Sequence, residues 1–528
     1  MKLIQLSILF LGFFMLTSCE KDFSELEKDP NRPLNVPAAL VLKEVQYQMY
    51  NGTGRPFSAE MRWNQFYCSN YNYYATNEYT WTEMPNHFYT LKNVTKMEEE
   101  ALNAGAAAVN PYSAIAKFSK AFFYDQMTKR VGDLPLTGAL QGGENFEPVY
   151  DSQKEIYLQI LTWLDQANTE MATLIAQGES ELTGDIYFNG DLRQWQKVVN
   201  AFQLRVLTTL SKKDADTDLN IKARFAEIIS NPTKYPLLNG MDDNLQFISN
   251  QFNKYPSNPD NFGFDATRQN MSAAYVERLK ERNDPRLFVT TEPAGSEIAS
   301  GKQPNDFSAY LGASSGEDLA DMSFKAGISN EGFAPGSYSF QNRNRYYADY
   351  EGEPTFIVGY PEMCFNIAEG IHRGWGNTGS ADAWYKKGVE ASFQFYGISS
   401  GTNTFTYSLT GGRNSSDLAN YEYDFELQDY LAQPNVKYSA DANGLEQIIT
   451  QKYLAFFMNS GMEGYFNWRR TGFPEFYTGV GTGNSGRIAV RWQYPYSERT
   501  TNTSNYKIAI DNQFNGKDDI NEELWLNK

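Results

Sequence analysis

Gly312-Ala313-Ser314-Ser315-Gly316 has the spacing of a nucleophile elbow, in which a buried strand delivers a serine to a sharp turn and a helix follows. The residues before it, Lys302-Gln303-Pro304-Asn305-Asp306, read as a polar loop, and the only downstream histidine is His372 on a candidate helix. Small residues in a flexible loop explain the match better than acyl transfer does. Asp214-Ala215-Asp216-Thr217-Asp218-Leu219-Asn220 opens like a calcium loop. Leu219 stands where that loop needs Gly, and Phe225 where it needs Glu, so a solvated turn before the next helix is the better reading. The two histidines, His87 and His372, lie neither in HExxH nor near a cysteine pair, which argues against histidine-rich zinc sites. Carboxylates are abundant, but no local signature singles out a pair for glycoside hydrolysis. Neither catalysis nor a cofactor is expected from these residues.

Binding chemistry is better represented. A sugar ring offers an apolar C–H face and a rim of hydroxyls, so it stacks on Tyr or Trp and bonds to Asn, Asp or Arg. Two stretches without helical pattern supply that mixture. One, 52–87, holds Tyr73, Tyr74, Asn77, Tyr79 and Trp81; the other, 232–355, ends with Asn342, Arg343, Tyr346 and Tyr347. Those nine are the expected ligand-contact residues. For any one of them, packing of the loop onto a helix is the competing role.

A different chemistry sits at position 19. Met1 and Lys2 precede an apolar run from Leu3 to Leu16, and Leu16-Thr17-Ser18-Cys19 closes it. Fourteen helical residues would reach about 21 Å, short of the roughly 30 Å hydrocarbon core, so the run has the form of an export signal. Its end resembles the lipobox of bacterial lipoproteins, which implies cleavage before Cys19 and lipid on its sulfur. Two or more acyl chains give stable anchoring. The acidic stretch that follows is too polar to fold alone and reads as a tether. It also resembles the signal that sends lipoproteins to the outer face of the outer membrane.

Charge and composition narrow the field. The formal net charge of -18, with no basic cluster, argues against nucleic-acid binding. Cys68 and Cys364 are expected as buried free thiols. Aromatic residues make up 15% of the chain; many are expected in the core, but Tyr is also a residue that binding surfaces use.

The elements that must position these residues are mostly helices. Ser152 and Glu155 form a capping box ahead of Ile156, Ile160, Leu164, Ala167, Met171 and Leu174. Asp191 caps a helix striped by Trp195, Val199, Phe202, Val206 and Leu210, and Asn110-Pro111 starts another. Further helices are expected over 37–51, 219–230, 270–281, 360–373, 380–396, 443–460 and 461–470, with β-like pieces such as Arg487–Arg491 in the tail. The expected fold is mainly α: tetratricopeptide-like helix pairs with long irregular loops and a few short β-hairpins. The expected division is signal 1–18, tether 19–36, helical part 37–231, loop-rich part 232–355, helical part 356–471 and tail 472–528.

Several segments together resemble the SusD/RagB family of nutrient-binding outer-membrane lipoproteins. Gly184-Asp185-Ile186-Tyr187-Phe188-Asn189-Gly190-Asp191 leads into Trp195, Asn200 and Leu204-Arg205. Tyr360-Pro361-Glu362 runs through Ala368-Glu369-Gly370 to Arg373-Gly374-Trp375. Glu463 to Pro474, containing Arg469-Arg470-Thr471-Gly472, is similar to a third family segment, and Gly132-Asp133-Leu134-Pro135 and Asp29-Pro30-Asn31 also fit. Thr128-Lys129-Arg130 departs from the pattern, where relatives often carry an acidic and an aromatic residue. These motif residues read as structural, with Arg469 and Arg470 suited to helix carbonyls or to buried carboxylates such as Glu362 and Glu369.

The resemblance implies a lipid-anchored subunit, facing the cell exterior, that acts as a lid over a SusC-like TonB-dependent transporter and delivers an oligosaccharide. A peptide ligand, as in some branches of the family, is the alternative. A surface glycoside hydrolase or peptidase, and an adaptor that binds no nutrient, are the competing functions.

Overall fold

The structure is a computed structural model that describes residues 36–528 apart from 53, 74, 263–265, 330–331, 334–335 and 410–417. Cys19, the tether as far as residue 35, Asp29-Pro30-Asn31 and Tyr74 lie outside the described residues.

Six helices of the N-terminal half stack in chain order: α1 (Ala38–Asn51), then, past short α2 (Ala59–Trp63) and strand β1 (Tyr67–Ser69), α3 (Phe88–Asn103), α4 (Pro111–Val131), α5 (Gln153–Gln177), α6 (Leu192–Thr209) and α7 (Ile221–Ser230). Local chemistry sets their ends. Asn110 caps α4 by accepting from Tyr112 and Ser113 N–H, and Ser152 with Glu155 closes the predicted capping box on α5. Gly178 ends α5 in the left-handed conformation that favours glycine. The stripe Ile156, Ile160, Leu164, Ala167, Met171, Leu174 is fully buried.

Beyond α7 the chain becomes irregular. Strand β2 (Leu245–Phe247), strand β3 (Gln269–Met271), α8 (Ala273–Lys280), α9 (Arg286–Thr290), α10 (Leu319–Lys325), α11 (Arg343–Tyr347) and strand β4 (Thr355–Val358) are short pieces among long loops. β1 pairs antiparallel with β3, and β2 with β4, so each irregular stretch is tied to another part of the chain. Helical order resumes with α12 (Tyr360–His372), which lies against α6, and with α13 (Ala381–Tyr396), the hairpin β5 (Gly401–Ser408) and β6 (Leu418–Phe425), α14 (Asn443–Ala455) and α15 (Glu463–Thr471). No described helix is long and apolar enough to cross a membrane.

A polar seam runs through the packed helices. Arg205 of α6 holds Glu362 of α12 bidentately, Arg470 of α15 holds Glu369 of α12, and Lys129 of α4 lies between Asp125 and Glu463 at 2.7 and 2.6 Å. Burial alone would raise the Glu369 carboxyl, but the Arg470 and Arg373 guanidiniums overcome it and hold the group at about 2. Arg469 instead donates to the Val490 and Lys129 carbonyls, so the two adjacent arginines divide the two expected roles, while Glu362 is taken by Arg205. Such pairs lock helices in register, because a charge left alone in the interior costs far more than a lost surface bridge. The motif residue Asp185 has a comparable role: it accepts from Gln46, Trp195 Nε1 and the N–H groups of Tyr187, Phe188 and Gly190.

Three expectations need correction. α3 was not anticipated. The tail carries helices α16 (Tyr496–Thr501) and α17 (Thr503–Phe514), and Arg487–Arg491 is not a strand; Arg491 instead spends its guanidinium on Asp518 and the Asp519 carbonyl. The helix expected over 270–281 begins at Ala273, because Gln269–Met271 pairs with β1. Cys68 and Cys364 are buried free thiols.

Candidate ligand-binding surface

Residues 69–77 form a loop closed by its own side chains. Asn77 Oδ1 accepts from Ser69 N–H at 2.8 Å while Asn77 Nδ2 donates to Ser69 O at 2.8 Å, a two-sided clip like one rung of a β-ladder. α2 fixes the returning strand: Arg62 Nε donates to Thr76 O at 3.1 Å and Trp63 Nε1 to Glu78 O at 3.0 Å. Tyr79 N–H then donates to Thr482 O at 2.7 Å. On the outgoing side, Asn70 N–H continues the β1–β3 ladder by donating to Arg268 O at 3.0 Å.

This anchoring leaves the loop's own aromatics outside. Tyr73 is 82% exposed and Tyr71 43%. Their rings lie 6.5 Å apart, tilted by 42°, and the Arg268 guanidinium stands 4.8 Å from the centre of the Tyr71 ring. Helix α10 borders the loop through Ser323, which donates to Asn70 O, and the next residue, Phe324, is 86% exposed. Rings left open to water add little burial to the fold, and two rings with a cation beside them form a mixed surface on which a sugar can stack. Phe146 and Phe252 are as exposed, but among the described residues neither has a ring or a cation beside it.

The other expected contact residues lie inside. Tyr79 is fully buried, its hydroxyl donating to Trp63 O at 2.8 Å. Trp81 stacks on Trp492 at 3.7 Å and meets Trp63 and Tyr465 edge-on. Asn342 caps α11 and donates to Thr406 O; Arg343 pairs with buried Glu292 at 2.6 Å. Tyr346 and Tyr347 pack against Phe57 and Phe262, and Asn77 is the loop clip already described. None of these presents an open face here, so among the described residues the surface consists of Tyr71, Tyr73 and Arg268. Tyr71 and Arg268 were missed. Adjacency to Tyr73 pointed to Tyr71, but nothing local in the sequence places Arg268 beside it; that follows from the β1–β3 register.

The rejected motifs have structural uses. A side chain at Gly312 would collide with Ala273 N at 2.4 Å, and one at Gly316 with Thr478 O at 2.2 Å. Both glycines therefore serve close backbone approach, and Ser314 accepts from Gly316 N–H within its own turn. In the Asp214–Asn220 turn, Lys154 pairs with Asp216 and Asp218, Lys222 pairs with Asp214, and Trp375 Nε1 donates to Asp214. His372 Nδ1 is bonded to the Tyr438 hydroxyl at 2.8 Å.

A stack of tetratricopeptide-like helix pairs carrying an irregular, aromatic face defines a helical scaffold with a loop-built surface. The chain belongs to the SusD-like family, whose sequence profile, described as starch-binding and associating with the outer membrane, matches residues 30–495. Among solved structures it is similar to a SusD homologue from Bacteroides fragilis at 28% identity, the match covering 93% of this chain and 100% of that one at a TM-score of 0.79. A second homologue from the same species is 29% identical, with coverage of 94% and 100% and a TM-score of 0.74. A chitin-binding SusD homologue from Flavobacterium johnsoniae shares the fold at 20% identity, with coverage of 93% and 97% and a TM-score of 0.67. No curated protein matches the chain.

Proposed function

We propose that this protein is the lipid-anchored, exterior-facing glycan-capturing subunit of a TonB-dependent outer-membrane importer, acting as a lid over a SusC-like barrel. The observation that carries the reading is the exposed Tyr71–Tyr73 pair on a loop whose base is fixed at Asn77, Arg62 and Trp63. A loop clipped at its base has less order to lose on binding than a free one, and Tyr supplies both a ring face and a hydroxyl. Family membership supports a carbohydrate ligand, and the chitin-binding relative shares the scaffold. Cys19 supplies the anchor, and its tether lets the globular part swing.

Three measurements test the role. Incubation of the purified chain with candidate oligosaccharides should return them bound and chemically unchanged; cleaved products would replace this reading with an enzyme. Extraction of native membranes in mild detergent should bring down a TonB-dependent barrel together with the chain, and Cys19→Ala should move the chain to the soluble fraction. Recovery solely as a free monomer beside an intact barrel would refute the partnership.

A further inference from the structure

The helical stack carries a polar cavity that the loop surface does not use. It opens between α5 and α7, with α6 beneath, and encloses about 370 Å³, within the roughly 300–1,000 Å³ of small-molecule sites. The protein orders its walls without a ligand. Asp165 of α5 is held on both carboxylate oxygens, Oδ1 accepting from the buried Gln203 amide at 2.7 Å and Oδ2 from Arg224 Nη1 at 2.5 Å. Glu227, three positions after Arg224 on α7, accepts from Lys234 Nζ at 2.6 Å and from the Tyr235 hydroxyl at 3.3 Å. These pairs stay open to water: the Asp165 and Arg224 side chains are 39% and 30% exposed. Asn220, just before α7, completes the wall. It sits in the left-handed region at φ 50°, its side chain does not cap the helix, and among the described residues no hydrogen bond reaches its carboxamide.

That pattern selects a class of ligand. Two acids face two bases, so the wall has no net charge to draw an ion, and each cation already holds a carboxylate. Tyr235 is buried and Lys234 Nζ lies 4.8 Å from its ring centre, so Tyr235 presents no open face for stacking. What the wall offers is an acceptor beside a donor, twice, and a free amide that is both. A hydroxyl donates and accepts through one atom, so it fits such a junction better than an ammonium, a carboxylate or a peptide unit does. Arg224 and Glu227, at i and i+3 on a helix, are about 5–6 Å apart at Cβ, a span that hydroxyls of one sugar ring can bridge. We propose that this cavity is a second sugar site, which takes a single neutral ring by its hydroxyls and works independently of Tyr71 and Tyr73.

Ligand-observed NMR on the full chain tests it. The sugar probes are D-glucose, D-galactose, D-mannose and N-acetyl-D-glucosamine, and glycylglycine is the peptide probe. At least one sugar should bind, and a saturable part of that binding should survive Tyr73→Ala. Asp165→Asn should weaken the surviving part by about tenfold, the loss expected for a hydrogen bond to a charged group. Asn220→Gly should weaken it by about threefold. Glycine accepts the left-handed backbone, so this variant should keep its melting temperature and separate lost binding from lost folding. If Tyr73→Ala removes all sugar binding, the cavity is not a sugar site and the loop surface stands alone. Surviving binding that ignores both Asp165→Asn and Asn220→Gly, or no binding by any of the sugars, also overturns the proposal. Preference for glycylglycine, lost in Asp165→Asn, would overturn the ligand class.

Discussion

Tyr73 and Trp81 are eight positions apart, and sequence chemistry alone treats them alike. Burial separates them. Trp81 is 5% exposed and stacked on Trp492, so Trp81→Ala opens a cavity and should cost about 3–5 kcal/mol of folding stability, read as a lowered melting temperature. Tyr73 is 82% exposed, so Tyr73→Ala should leave the melting temperature nearly unchanged while reducing ligand affinity. A Tyr73→Ala variant that unfolds like Trp81→Ala would show that the loop is part of the core. Single-residue chemistry was legible in the sequence as a shortlist of aromatic, Asn and Arg residues; which of them faces water was not. That depends on partners distant in the chain: Trp492 lies hundreds of positions beyond Trp81, and Glu292, which takes Arg343 inside, lies 51 positions before it.

At the scale of elements, periodicity served well where a helix has one apolar stripe and a side-chain cap, as in α5 and α6. It failed for α17, whose buried residues, Ala509, Ile510 and Phe514, make a stripe too thin to announce a helix among polar neighbours. The family motifs were legible because they are the helix–helix locks themselves. Glu369, held at about 2 by Arg470 and Arg373, tests that view. Arg470→Ala should leave the buried Glu369 carboxylate with Arg373 alone and destabilise the fold by up to about 3–5 kcal/mol in denaturant unfolding. Pairing it with Glu369→Gln should recover a substantial part of that loss, since the uncompensated charge is then gone. A double variant no better than the single one would mean that the pair does not act as a charge lock.

For the whole molecule, acid should be the weak side. His87 is buried near Arg130, and burial first, then that charge, lowers its imidazole from 6.5 to about 3. The unfolded chain therefore binds a proton that the folded one refuses between those values, so stability falls as pH drops below about 6.5. Glu369, depressed from 4.5 to about 2, adds a second loss as pH falls through that lower window. Asp133 opposes them over part of the range: burial raises it from 3.8 to about 6, which favours the folded state as it protonates. Because the His87 and Asp133 contributions oppose each other between about 6 and 3.8, wild-type melting temperatures should change little there, whereas His87→Gln, left with Asp133, should gain stability as pH drops from 7 to 5. A His87→Gln profile that parallels the wild type's would contradict the assignment to His87.

At the same scale, the proposed role is that the helical frame presents one clipped loop to a sugar. Its most direct test is calorimetric titration of a binding oligosaccharide into the wild-type chain and Tyr73→Ala, with melting temperatures measured on both. The expected result is an affinity loss of about 2 kcal/mol or more with a melting temperature that barely moves. Undiminished affinity in Tyr73→Ala, with the fold intact, would contradict it.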